Sequence, residues 1–132
     1  MKPSLRSAAL AAAFALAAPA AAQPDWSHAP RVDVALSSFK FAPAILRLRA
    51  GQPVVLHLTN TGSGSHDFSA PAFFKAARVR PQDAAKVAGG SVDVDGHGSA
   101  DIALVPATGT YPLRCTHAFH AMFGMKGSIV VQ

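Results

Sequence analysis

Cys115, His120 and Met125 follow one another at intervals of five residues in the run Tyr111-Pro-Leu-Arg-Cys-Thr-His-Ala-Phe-His-Ala-Met-Phe-Gly-Met-Lys-Gly-Ser-Ile129. Cys115 is the only cysteine in the chain. One short stretch therefore offers a thiolate, an imidazole and a thioether in order. A second imidazole is available upstream, at His66 in Ser65-His66-Asp67-Phe68. Two imidazoles and a thiolate near one plane, with a weak and long axial thioether, form the donor set of mononuclear copper sites that pass single electrons. Such a fixed set asks for little rearrangement when an electron moves.

The loop resembles the copper-binding loop of the cupredoxins, the plastocyanin and azurin superfamily. The family pattern is Tyr-x-x-x-Cys, four residues, His, four residues, Met-x-Gly and a β-branched strand. Tyr111, Cys115, His120, Met125, Gly127 and Ile129-Val130-Val131 meet it. Upstream, Phe41-Ala-Pro43, Gly51, the strand Val54–Leu58, Asn60 and His66 follow the order of bacterial cupredoxin domains. The resemblance covers residues 31–132. It implies one copper ion cycling between Cu(I) and Cu(II), with His66, Cys115 and His120 as strong ligands and Met125 axial. It also implies that His120 presents its ring edge near the surface.

Three of the four ligands have a plainer alternative, while His120 is hard to explain otherwise. Cys115 could be an inert buried thiol, Met125 core packing, and His66 a surface histidine beside Asp67. Two departures from the family stand out. Asp67 occupies a position where many blue-copper proteins have asparagine; it accepts a hydrogen bond, for example from Thr116, but donates none when ionised. His117 adds an imidazole to the ligand loop, as an electron or metal entry group, an alternative ligand or a spare surface histidine. Phe68, Phe119, Met122 and Phe123 stand where they could form an apolar rim, or simply core. His28, His57 and His97 have no partner at ligand spacing.

The elements that must position these residues read as short strands. Val32/Val34/Leu36, Leu46/Leu48, Val54/Leu56/Leu58, Val92/Val94, Ile102/Leu104 and Ile129/Val131 alternate with other residues. This is the pattern of strands with one face in a core. Turn signals separate them, among them Thr61-Gly-Ser-Gly-Ser65 and Asp95-Gly-His-Gly98. Many short strands with regular turns mean a sandwich or small barrel. Ser69–Lys86 breaks the rhythm. It contains two candidate short helices, Ala70–Ala77 begun by Ser69 and Pro81–Lys86 stopped by Gly89. The expectation is an all-β, Greek-key β-sandwich of cupredoxin-like architecture with a short helical or irregular crossover. On the strand that leads into the loop, Tyr111, Leu113 and Cys115 share the inner face.

The first 22 residues read as a secretory signal peptide: Lys2 and Arg6, an apolar run Ala8–Ala18, and a small-residue cleavage site Ala20-Ala21-Ala22. The apolar run is short for a membrane anchor. Residues 23–30 read as an N-terminal arm and 31–132 as the single domain. Removing Lys2 and Arg6 from the 12 basic residues leaves ten against seven acidic, a net of +3 instead of +5. All seven acids are aspartates, and no basic run is dense enough for nucleic acid. A lone cysteine in an exported chain makes no internal disulfide, and coordination would protect it.

The expected function is periplasmic electron transfer through one type 1 copper, with redox proteins as partners and a monomeric mature chain outside the membrane. A copper carrier that holds Cu(I) for delivery to an acceptor protein or for resistance is the alternative, kept open by His117, Met122 and Met125, since thioether and thiolate favour Cu(I). A dinuclear purple centre needs two cysteines, and a multicopper oxidase needs further domains and histidine clusters. Structural zinc rarely recruits methionine. A Cys-His nucleophile is the enzymatic alternative and lacks a recognised motif, so no enzyme activity is expected.

Overall fold

The alternating apolar residues assemble two five-stranded sheets. The computed structural model describes residues 1–3, 8–18, 22–117, 120 and 122–132. Arg6, Ala20, Ala21 and Phe119, which figured in the leader and the apolar rim, lie outside the described residues. The strands are β1 (Arg31–Ser37), β2 (Lys40–Ala42), β3 (Ile45–Leu48), β4 (Val54–Asn60), β5 (His66–Ser69), β6 (Arg78–Val79), β7 (Ser91–Val94), β8 (Ser99–Val105), β9 (Gly109–Arg114) and β10 (Lys126–Val131). One sheet has the order β2-β1-β4-β8-β6, the other β3-β10-β9-β5-β7.

The chain changes sheet at most connections. β1 and β4 therefore lie side by side and parallel, with β3 in the opposite sheet between them in sequence. β10 pairs parallel with β3 and antiparallel with β9. This is the expected all-β Greek-key sandwich. The alternation does the sorting: Val54, Leu56 and Leu58 of β4 are buried, while Val55, His57 and Thr59 between them are half-buried. Leu36, Leu56, Leu58, Ile102, Leu104, Leu113 and Ile129 meet between the sheets, essentially without exposure.

The break in rhythm is a helical crossover. Helix α1 spans Pro71–Ala76, and a 3-10 segment spans Pro81–Gly90. Ser69 does not begin the helix: it is the last residue of β5, and Ala70 is the N-cap, with no side-chain cap. Proline at the first helical position, with its preset φ and no N–H to satisfy, supplies the start instead. Phe73 and Phe74 anchor the helix in the core, and Phe73 meets the Tyr111 ring edge-on at 5.6 Å. Phe68 also belongs to this core, edge-on to Phe41 and Phe74, and has no place on the rim. No helix among the described residues is long and apolar enough to cross a membrane.

One glycine sets the approach of two turns near the site. A Cβ on Gly96 would stand 2.0 Å from the Ser63 carbonyl oxygen, which is backbone and cannot step aside alone. Gly96→Ala must push back the 61–65 loop that leads into His66. We expect a loss of about 2 kcal/mol by overpacking, read as a thermal midpoint lower by roughly 10 °C. An unchanged midpoint would mean that the turns do not touch.

Candidate metal centre

His66, Cys115 and His120 arrive from two directions. β9 ends at Arg114, and Cys115 follows with its side chain inward, as the shared face of Leu113 and Cys115 requires. The connection to β10 closes on itself through backbone bonds: Cys115 N–H to Met125 O (3.1 Å), Met125 N–H to His120 O (3.0 Å) and His120 N–H to His117 O (3.1 Å). His66 opens β5 on the neighbouring strand and is buried, not a surface residue.

Asn60 fixes the loop before it. Its amide donates to Gly64 O (2.7 Å) and Val94 O (3.0 Å) and accepts from Gly62 N–H (2.9 Å). Sequence reading placed Asn60 only by its order. Its role rests on partners that pattern alone does not bring together.

The three donor atoms converge. Cys115 Sγ lies 3.3 Å from His120 Nδ1 and 4.0 Å from His66 Nδ1, and the two nitrogens are 3.1 Å apart. A triangle with these sides has its centre about 2 Å from every corner, and first-row metal bonds to nitrogen and sulfur run ~2.0–2.3 Å. The set therefore fits a transition-metal ion of copper or zinc size. Met125 is fully buried, and its backbone bonds tie it to both Cys115 and His120.

Protonation suits the same reading. Burial pushes the Cys115 thiol up, against the hydrogen bonds from the backbone N–H groups of Asp67 and His117. Burial, then the neighbouring His120 and His117 rings, hold the His66 imidazole below its ordinary value, with Asp67 opposing. His66 is thus neutral at neutral pH, with a lone pair to give. The thiol keeps its proton until an ion displaces it.

Asp67 braces the loop in place of the asparagine common in the family. It accepts hydrogen bonds from Thr116 N–H (2.6 Å), the Thr116 hydroxyl and the Ser91 hydroxyl (2.9 Å). Its own N–H points at Cys115 Sγ at 3.5 Å. Burial opposes the charge, but the bonds from Thr116 and Ser91 outweigh it and lower the carboxyl below its usual range. The missing donor capacity of aspartate is met by hydroxyls that donate to it.

Among the described residues, one side of the surface around His120 is apolar. Met122 and Phe123 are well exposed, as expected for a rim. Phe39 joins them, in a left-handed turn (φ 59°), with its ring edge-on to His120 at 5.2 Å and 5.2 Å from Phe123. Nothing in the periodicity pointed to Phe39, because an aromatic side chain seldom adopts that backbone conformation. His28 and His57 pair with Asp25 and Asp101 at the surface.

With this geometry in hand, comparison with known proteins is direct. The cupredoxin-like domain family matches residues 6–131. The chain belongs to that family. An auracyanin from the photosynthetic bacterium Roseiflexus castenholzii superposes with a TM-score of 0.57 at 20% identity, covering 79% of this chain and 98% of that one. Auracyanin A of Chloroflexus aurantiacus, described as a "blue" copper protein, gives 0.51 at 20%, over 77% and 99%. A multicopper oxidase from Pseudomonas thermotolerans gives 0.63 at 18%, over 89% of this chain but 33% of that one. At these identities the likeness is one of fold. No curated protein sequence matches the chain.

Proposed function

We propose that this protein is an exported, single-domain electron carrier with one copper ion held by His66, Cys115, His120 and Met125, and that residues 1–22 are a cleaved leader. The observation that carries the reading is the convergence of Cys115 Sγ, His66 Nδ1 and His120 Nδ1 on a triangle of metal-bond size. Family membership and the blue-copper description of auracyanin A support it.

Copper, when bound, supplies a one-electron Cu(I)/Cu(II) couple. The chain supplies the rest. Cys115 gives up its proton to become the thiolate. His66 is held neutral in the interior. Met125 offers its sulfur from a fully buried position. Asp67 and the loop's own backbone bonds keep these groups in place through a change of charge. A set completed by four protein donors leaves no open position for a substrate, in contrast to catalytic metal sites. His120, half-buried behind Phe39 and Phe123, gives a partner protein the shortest path inward. The apolar rim lets such a partner approach without stripping charges of water.

The test is to load the mature protein, from Gln23, with Cu(II) and record visible and electron paramagnetic resonance spectra. An intense thiolate-to-copper band with narrow parallel hyperfine splitting is expected. Met125→Leu should retain the band and shift the couple toward Cu(I) by about 60 mV, a tenfold change in the one-electron equilibrium. The thioether's lone pair stabilises the electron-poorer state, and leucine removes it. A weak band with ordinary splitting would sink electron carriage. It would favour a Cu(I) carrier, the reading that the exposed Met122 thioether also suits.

A further inference from the structure

β5 and β7 place two like charges face to face. Asp67 and Asp93 are directly opposed in the antiparallel register. Opposed like charges destabilise a sheet. Among the described residues no lysine or arginine forms an ion pair with either. What faces them is His117, whose Nε2 lies 4.0 Å from Asp93 Oδ1. That is too long for a hydrogen bond and within the span of two metal–ligand bonds of ~2.0–2.2 Å. Donor atoms of Asp67, Asp93 and His117 all fall within 4.8 Å of one another.

We propose that Asp67, Asp93 and His117 form a second, outer site for a divalent cation of the copper(II) or zinc(II) type. One imidazole and two carboxylates are donors that such ions accept, and two carboxylates neutralise a dication. The site is graded from inside to outside. Asp67 is buried and held by Thr116 and Ser91, using three of about four acceptor positions of a carboxylate. Asp93 is open to water, with a side chain 84% exposed, and His117 is intermediate at 34%. A hydrated ion meets Asp93 first, His117 next and Asp67 last.

The outer set also touches the inner one. The His117 ring stacks on the His120 ring with centroids 5.4 Å apart and planes at 23°. The Asp67 backbone N–H reaches Cys115 Sγ. An ion taken up by His117 would thus stand one ring away from the inner triangle, placed for intake. That intake role rests on the copper reading above; the binding itself does not, because the outer set uses none of the four inner donors.

The probe is zinc(II), titrated calorimetrically into the full mature chain to which a single equivalent of copper has been added. Wild type should take up one further equivalent. His117→Ala and Asp93→Asn, both altering surface side chains, should each weaken that equivalent tenfold or more, while His57→Ala, which breaks another surface His–Asp pair, leaves it within twofold. Absence of the further equivalent, or wild-type affinity retained in His117→Ala and Asp93→Asn, would overturn the proposal. So would an equal loss in His57→Ala. Repeating the titration in Cys115→Ala separates the two sites: the outer equivalent should persist there at wild-type affinity. Its loss with Cys115 but not with His117 would refute the outer site and leave the inner one standing. Copper uptake indifferent to Cys115 would refute the inner site alone.

Discussion

Replacing Cys115 by serine is expected to abolish the intense visible band of the copper-loaded protein while the sandwich stays folded. The band requires a sulfur lone pair that can pass charge to Cu(II), and a hydroxyl has none of suitable energy. It also stays protonated at neutral pH, so the strongest of the proposed donors is lost. Cys115 is 1% exposed, and serine is close to it in volume. Burying the hydroxyl costs about 1–2 kcal/mol, reduced where the Asp67 N–H now donates to oxygen in place of sulfur. The measurement is the spectrum of the variant beside its thermal midpoint. An unchanged spectrum in a folded variant would show that the thiolate is not a ligand.

Asp83→Ala is expected to be among the costlier changes at a polar residue outside the candidate centre. Asp83 ties the 3-10 segment to β8. Its Oδ2 accepts from the Ala103 N–H (2.9 Å) and meets Arg80 Nη2 at 2.8 Å, while Oδ1 meets Lys86 Nζ at 2.8 Å. The Asp83 side chain is 2% exposed; those of Arg80 and Lys86 are 30% and 45% exposed. Breaking a buried pair costs ~3–5 kcal/mol. Here the two cations can turn back to water, so we expect about 3 kcal/mol, mostly from the Ala103 N–H left without an acceptor.

Acid acts on the same carboxylate. Burial works against its charge, but the hydrogen bonds from Lys86 and Ala103 and the charges of Lys86 and Arg80 outweigh it and hold its folded-state value below the usual carboxylate range. The stabilisation is therefore full above the unfolded carboxyl's own value. It fades as pH falls from there through the lowered folded value. Urea unfolding at pH 7 and near pH 3 should show wild type losing more stability between them than Asp83→Asn. Equal losses in the two proteins would remove Asp83 from the account.

The residues that converge at the candidate centre were legible because their chemistry is rare: a single cysteine, with histidine and methionine at fixed spacing, is a pattern that core packing has no reason to produce. β4 and β7 were legible because every second residue in Val54–Leu58 and Val92–Val94 is a large apolar one that faces the core. β5 was not. Its four residues, His66-Asp67-Phe68-Ser69, are all buried, so no polar face marks a period. Asp67 and Ser69 could go inside only because of Thr116, Ser91 and the β9 strand, which lie far along the chain. Asp83 escaped notice for the same reason: its partner Ala103 is twenty residues away. β2 and β6 have three and two residues and owe their existence to the strands they pair with. The family resemblance carried the Greek key further than periodicity could, since alternation gives strands without their order.

The position of β10 makes the candidate centre depend on one strand. This last strand lies between β3 and β9 and is the only described link between them. Until it is in place the second sheet is in two pieces, and the loop carrying Cys115 and His120 has no second anchor. Lifting β10 away would split that sheet and release the Met125 end of the segment that returns to Cys115. A local opening at this one strand thus scatters His66, Cys115 and His120 while the β2-β1-β4-β8-β6 sheet keeps its own pairings.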